Sequence, residues 1–174
     1  MIKGIAKLII ALNGNVKKGQ IAAGLAWGFL LGLVPAGNFF WIVLLLISFF
    51  FNHHHGSKFL VMAVVKLFSP LIAPPLDLLG WEILHIGALQ PMFTSMYNMP
   101  FVPFTKFNNT LVAGGIAAGA VLSVPLFFIF MPLIDLYRNT VGQKIRNSKI
   151  VRAILKFPLF TAIDQAINVL GKGK

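Results

Sequence analysis

The residues of this chain that could do chemistry are few, and all lie inside or beside apolar runs. Glu82-Ile83-Leu84-His85 has the Glu-x-x-His spacing that puts a carboxylate and an imidazole on one helical face. Di-metal helical bundles supply that unit in two copies, with further carboxylates. Here it occurs once, and Asp77 and Asp135 are too few to complete the set, so no metal is expected. The motif reads instead as a polar patch near an interface, anchored by Trp81. His53-His54-His55 looks like a metal tract, yet it lies between Asn52 and Gly56-Ser57-Lys58 at the border of an apolar run, and it is expected to be a headgroup-level loop. Lys66 and Asp77 are the ionisable residues deepest in apolar sequence, and intramembrane charges mark a pair or a pathway. On a continuous helix they stand about three turns apart, so only a proline break could bend them together. Ser48 and Ser123 read as hydroxyls satisfied by the backbone, since no nucleophile elbow, phosphate loop or His-Asp relay accompanies them. Cysteine is absent, which removes thiolate chemistry. The chain is read as non-enzymatic, with no cofactor.

The elements that must position these residues belong to a membrane. Of 174 residues, 57% are hydrophobic and 11% charged, against about a quarter charged in soluble domains. A chain this small has too little interior to hide that apolar surface, so the excess faces lipid. Lys and Arg number 15 against 4 Asp and Glu, a formal charge of +11. The basic residues gather at the termini rather than among polar residues on a folded surface, which favours anionic headgroups and excludes nucleic acid as a partner.

Ile2, Ile5, Ala6, Ile9 and Leu12 recur at helical spacing, with Lys3 and Lys7 off the stripe, predicting an interfacial helix within residues 1–20. The run 21–51 is uncharged and would reach about 46 Å as one straight helix, beyond a hydrocarbon core of about 30 Å. Pro35-Ala36-Gly37-Asn38 is the natural break, and the pieces on either side are each short for a span. A re-entrant hairpin fits both lengths, with Pro35 to Asn38 as its tip, covered by other segments because irregular backbone at depth needs cover. Gly24, Gly28 and Gly32 line one face of the first arm for close helix packing.

Residues 59–89 form a second apolar region with Lys66, Asp77, Glu82 and His85, punctuated by Pro70, Pro74, Pro75 and Gly80, and are expected to cross once as a broken span. Residues 90–109 are expected to be a surface loop whose aromatics Phe93, Tyr97, Phe101, Phe104 and Phe107 keep it on the membrane. Residues 110–134 are the clearest span, capped by Asn108-Asn109-Thr110, carrying Gly115 and Gly119 as a GxxxG pair and Pro125 as a point of bending. Residues 136–174 form a basic amphipathic tail in which Arg138, Lys144, Arg146, Lys149, Arg152 and Lys156 are expected to contact anionic lipid. Basic residues at both ends predict cytoplasmic termini and an even number of crossings. The expected fold is therefore an all-α integral membrane protein: a re-entrant helical hairpin, two transmembrane crossings, and interfacial amphipathic helices at both ends, with 1–135 as the membrane domain.

The run from Gly19 to Asn38, together with Ser69-Pro70, Pro75-Leu76-Asp77, Tyr97-Asn98-Met99-Pro100 and Phe107-Asn108-Asn109-Thr110, resembles a family of small bacterial inner-membrane proteins known only as a domain of unknown function. The resemblance covers about residues 5–135, and the wider superfamily often has Asn-Pro where Ser69-Pro70 stands. It implies location in the inner membrane, multi-pass, of bacteria with outer membranes. It also implies a larger membrane-anchored periplasmic protein as partner, encoded beside this one. The expected function is a non-enzymatic subunit docking that envelope protein, in lipid transport between inner and outer membranes, with the glycine faces supplying helix contacts and a homo-oligomer left open. The alternative is a small transporter or lipid scramblase using the Pro35 to Asn38 tip with Lys66 and Asp77.

Overall fold

The computed structural model describes residues 16–142, and every described regular element in it is helical. The expectations for the N-terminal amphipathic stripe, and for Lys144, Arg146, Lys149, Arg152 and Lys156, fall outside those residues. The chain divides into two units, Met1–Ile134 and Asp135–Lys174.

In the first unit, helix α1 (Lys18–Leu33) stops where proline dictates. Pro35 disfavours helical backbone at the residue before it, and Val34 is extended at φ −73° and ψ 128°. Helix α2 (Phe39–Ser48) restarts behind Asn38, whose side chain accepts from the Trp41 backbone N–H at 2.7 Å. Helix α3 (His55–Leu67) has an imidazole as its cap, with His54 Nδ1 accepting from the Ser57 N–H at 3.0 Å. Pro70 cannot donate to the carbonyl four residues back, so α3 gives way at Phe68 to α4 (Ser69–Leu84), bent by 84°. The break is thus at Phe68, and Pro74 and Pro75 lie inside α4. Helix α5 (Gln90–Tyr97) and a 3₁₀ turn at Val102–Thr105 occupy most of what sequence reads as loop. Asn109 Oδ1 accepts from the Val112 N–H at 3.1 Å and opens α6 (Thr110–Tyr137), which contains Pro125 and Pro132.

Helices α1 and α3 run parallel. A methyl added at Gly24 would strike His54 and Ser57, at Gly28 Lys58 and Val61, and at Gly32 Val65. The chain is therefore back beside its starting level after α2, where the His54 N–H donates to the Gln20 carbonyl at 2.9 Å. Helix α6 runs antiparallel to α1. Gly115 meets Leu33 and Val34, Gly119 meets Leu30, and Ile134 packs with Ile21 and Ala22. Gly80 and Gly114 bring the backbones of α4 and α6 together, each without room for a Cβ. The glycine faces of 24–32 and 114–119 are thus closed by the chain's own helices, so a docking partner would need another surface. The stretch Thr110–Thr140 is long and apolar enough to cross a membrane, and α3 with α4 passes the same test only as a bent pair. Val121, Val124, Phe128 and Leu133 of α6 face outward, as a lipid-exposed helix requires.

Candidate functional site

Two helix breaks meet, and a lysine joins them. The first is Val34 to Asn38 between α1 and α2; the second is Phe68 between α3 and α4. Lys66, in the last turn of α3, donates its ammonium to the Val34 carbonyl at the end of α1. The end of a helix carries unpaired carbonyls and partial negative charge, so the cation both fills a hydrogen bond and opposes the dipole. Around it, the Trp41 indole N–H donates to the Leu31 carbonyl at 3.0 Å, and Asn38 Nδ2 donates to the Pro35 carbonyl at 2.7 Å. Side chains thus satisfy the polar groups of the tip, which is covered in part. Asn38 is buried and Pro35 half-buried, while Ala36 and Gly37 are exposed, with Gly37 at φ +89°, a conformation suited to glycine.

A cavity of about 40 Å³ opens at this junction, lined by Gly32 and Pro35 from one break, Val65 and Ser69 from the other, and Leu111 of α6. Leu33, Val65, Ile72 and Leu76 supply its apolar wall, and Phe29 and Val61 pack against the same core cluster. Such a space holds a few waters. Chemically the junction offers one ammonium, helix-end carbonyls and the amide of Asn38.

Asp77 does not meet Lys66. It accepts from the Thr110 hydroxyl, tying α4 to the start of α6 on an exposed face. His85 stacks on Trp81 at 4.2 Å and sets its Nδ1 2.8 Å from the Trp81 carbonyl, while Glu82 is exposed nearby. Among the described residues no three His, Asp or Glu gather as metal ligands.

A protein of Treponema pallidum (strain Nichols), called only "Uncharacterized protein", is 29% identical over 159 residues, covering 91% of this chain and 98% of that one. No family model matches the chain, and no solved structure matches it.

Sequence reasoning missed a second charged cluster. Lys58, read as part of a headgroup loop, lies in the first turn of α3 and is completely buried, at 0% exposure. Its ammonium donates to Ser48 Oγ at 2.8 Å and sits 3.9 Å over the Phe49 ring and 4.8 Å from that of Phe59. His53, 7% exposed, lies against Trp27 at 6.3 Å and against His55 at 4.6 Å. Burial, and then the neighbouring His55 and Lys58, lower the His53 pKa from 6.5 to about 4. A signal was present in the sequence: Lys58, Val61 and Val65 recur at i, i+3 and i+7, which puts the lysine on the face that meets the glycines.

Proposed function

We propose that this chain is a non-enzymatic, multi-pass protein of the bacterial inner membrane, with both termini cytoplasmic, that moves a small polar or amphiphilic substrate past its joined helix breaks. The observation that carries this reading is Lys66 bridging the end of α1 across two interrupted helix pairs beside a cavity. Interrupted helices meeting within a membrane are how transporters expose helix-end dipoles and carbonyls to a substrate without exposing them to lipid. The return of the chain to the level of Gln20 supports a re-entrant 21–51 segment, and the packing of Ile134 on Ile21 supports a last helix that ends on the side where the first begins.

The test is reconstitution of the full chain into liposomes, with lipid flipping and ion flux followed by fluorescence. Wild type should accelerate one of them, and Lys66→Ala should abolish it. Wild-type rates from Lys66→Ala would overturn the reading. Asp77→Ala should retain most activity, because Asp77 bonds to Thr110 away from the junction.

A second reading, docking of a larger periplasmic envelope protein in lipid transport, has one observation in its favour. The connection between α4 and α6, periplasmic in this topology, carries exposed Tyr97, Met99, Phe101 and Phe104, and an open cleft of about 300 Å³ lined by Gln90, Tyr97, Asn98 and Asn108. Exposed aromatic and methionine residues suit a protein interface. Phe101→Ser with Phe104→Ser should then release a large partner from a mild-detergent pull-down, whereas retention would count against docking there.

A further inference from the structure

The buried cluster at the start of α3 is short of acceptors. Lys58 has three N–H groups and, among the described residues, one oxygen partner, Ser48, whose own hydrogen is committed to the Leu45 carbonyl at 2.6 Å. Both ring nitrogens of His53 and Nδ1 of His55 are buried without a hydrogen-bond partner among the described residues. Buried polar groups are almost always paired, and a site that leaves several unpaired is one where an ion or ligand belongs. The ionisable neighbours of His53 are His54, His55 and Lys58, so the charge in the cluster has one sign. A metal ion would face that ammonium with two imidazoles for ligands, and no third His, Asp or Glu joins them among the described residues. An anion supplies acceptors to the ammonium and to one N–H of each imidazole, and its charge favours the protonated His53 ring, in which both nitrogens donate.

Depth narrows the anion's identity. His54 bonds to Gln20, within one turn of Lys17 and Lys18, which sets the cluster at the level of the lysine pair that marks the headgroup region. Among the described residues, aromatic rings lie against it there. Phe49, 48% exposed, lies 5.1 Å from His55, and Phe51, 51% exposed, lies 5.2 Å from Trp27. Both exposed rings border the headgroup layer, where the abundant anion is phosphate. A tetrahedral phosphate brings three or more acceptor oxygens, enough for the ammonium and both imidazoles. We propose that Lys58, His53 and His55 form a binding site for a phosphate group behind the Phe49 and Phe51 rings. Phosphate held there requires no transport at the helix breaks.

The full chain in a non-ionic detergent tests this in two arms. Equilibrium dialysis against radiolabelled inorganic phosphate probes the free anion. Native mass spectrometry with a short-chain phosphatidic acid probes the headgroup, with the diacylglycerol of the same chains as the control lacking phosphate. Because basic residues elsewhere attract anions, the site is assigned by variants. At least one arm should give a saturable single equivalent, weakened about tenfold in Lys58→Met and in the double variant His53→Phe with His55→Phe, and unchanged in the exposed-site control Lys106→Met. Binding in the dialysis arm identifies a site open to free phosphate, and binding in the lipid arm alone identifies a headgroup site. No saturable binding in either arm, or equal affinity in all variants, overturns the proposal. Should Lys58→Met fail to elute as a single folded species, the histidine pair decides the outcome, with His55→Gln as the milder change.

Discussion

Lys58 and Lys66 stand two turns apart on the same helix, both within apolar sequence, and the fold treats them differently. Lys66 reaches a backbone carbonyl at the end of α1, where a helix needs a cation, so its charge has a partner built into the chain. Lys58 reaches one hydroxyl and two aromatic faces among the described residues, beside both ring nitrogens of His53 and Nδ1 of His55, which lack a hydrogen-bond partner there. Cation–π contact recovers part of the lost hydration but supplies no directional acceptor. The first lysine closes a structural joint; the second has more N–H groups than the described residues give it acceptors. Their common support is the α1/α3 contact, because Gly28 faces Lys58 and Gly32 faces Val65, the neighbour of Lys66.

That dependence gives the largest expected effect. Gly28→Leu forces the two backbones apart and should cost about 3 kcal/mol, removing the support of both lysines together, measured as the unfolding midpoint in detergent. A midpoint unchanged from wild type would mean that α1 and α3 are not in contact. Lys66→Ala strips the Val34 carbonyl of its partner and should cost about 2 kcal/mol, whereas Lys58→Met, which removes a buried charge with no carboxylate beside it among the described residues, should be close to neutral or stabilising. Equal losses from the two substitutions would erase the distinction between them.

Acidification should separate the regions further. The folded-state pKa of His53 is depressed from 6.5 to about 4, so its contribution is complete above pH 6.5 and is lost as pH falls towards 4. In phosphate-free buffer the wild-type midpoint should therefore fall across that interval, and His53→Phe should flatten the dependence. Asn38→Ala removes the cap of α2 at the hairpin tip and should cost about 1 kcal/mol. The smallest effect is expected from Thr110→Val, which releases an exposed Asp77 and should change stability by less than about 0.5 kcal/mol.

Much of the helical framework was legible in the residues. The uncharged length of 21–51 demands a break, and Pro35 supplies it by holding Val34 extended. The apolar composition of 110–134 fixes a helix able to span a membrane, and Asn109 marks its start. Proline positions were a poorer guide to the second break, because a proline in a first turn ends the preceding helix while one further along is carried within the next. Pro70 therefore separates α3 from α4 at Phe68, and Pro74 and Pro75 do not.

What sequence by itself determined are the properties set by local sterics and by total hydrophobicity: helix or break, one helix apolar and long enough to span a membrane, and a row of glycines that requires some partner. Which partner that row meets is a tertiary matter. The face of 24–32 is filled by α3 and that of 115–119 by α1, since close backbone approach depends on how two distant surfaces interlock. The same holds for the charges. Lys58 and Lys66 have the same side chain in similar apolar settings, and only the positions of Ser48, His53 and the Val34 carbonyl in space decide which of them is satisfied.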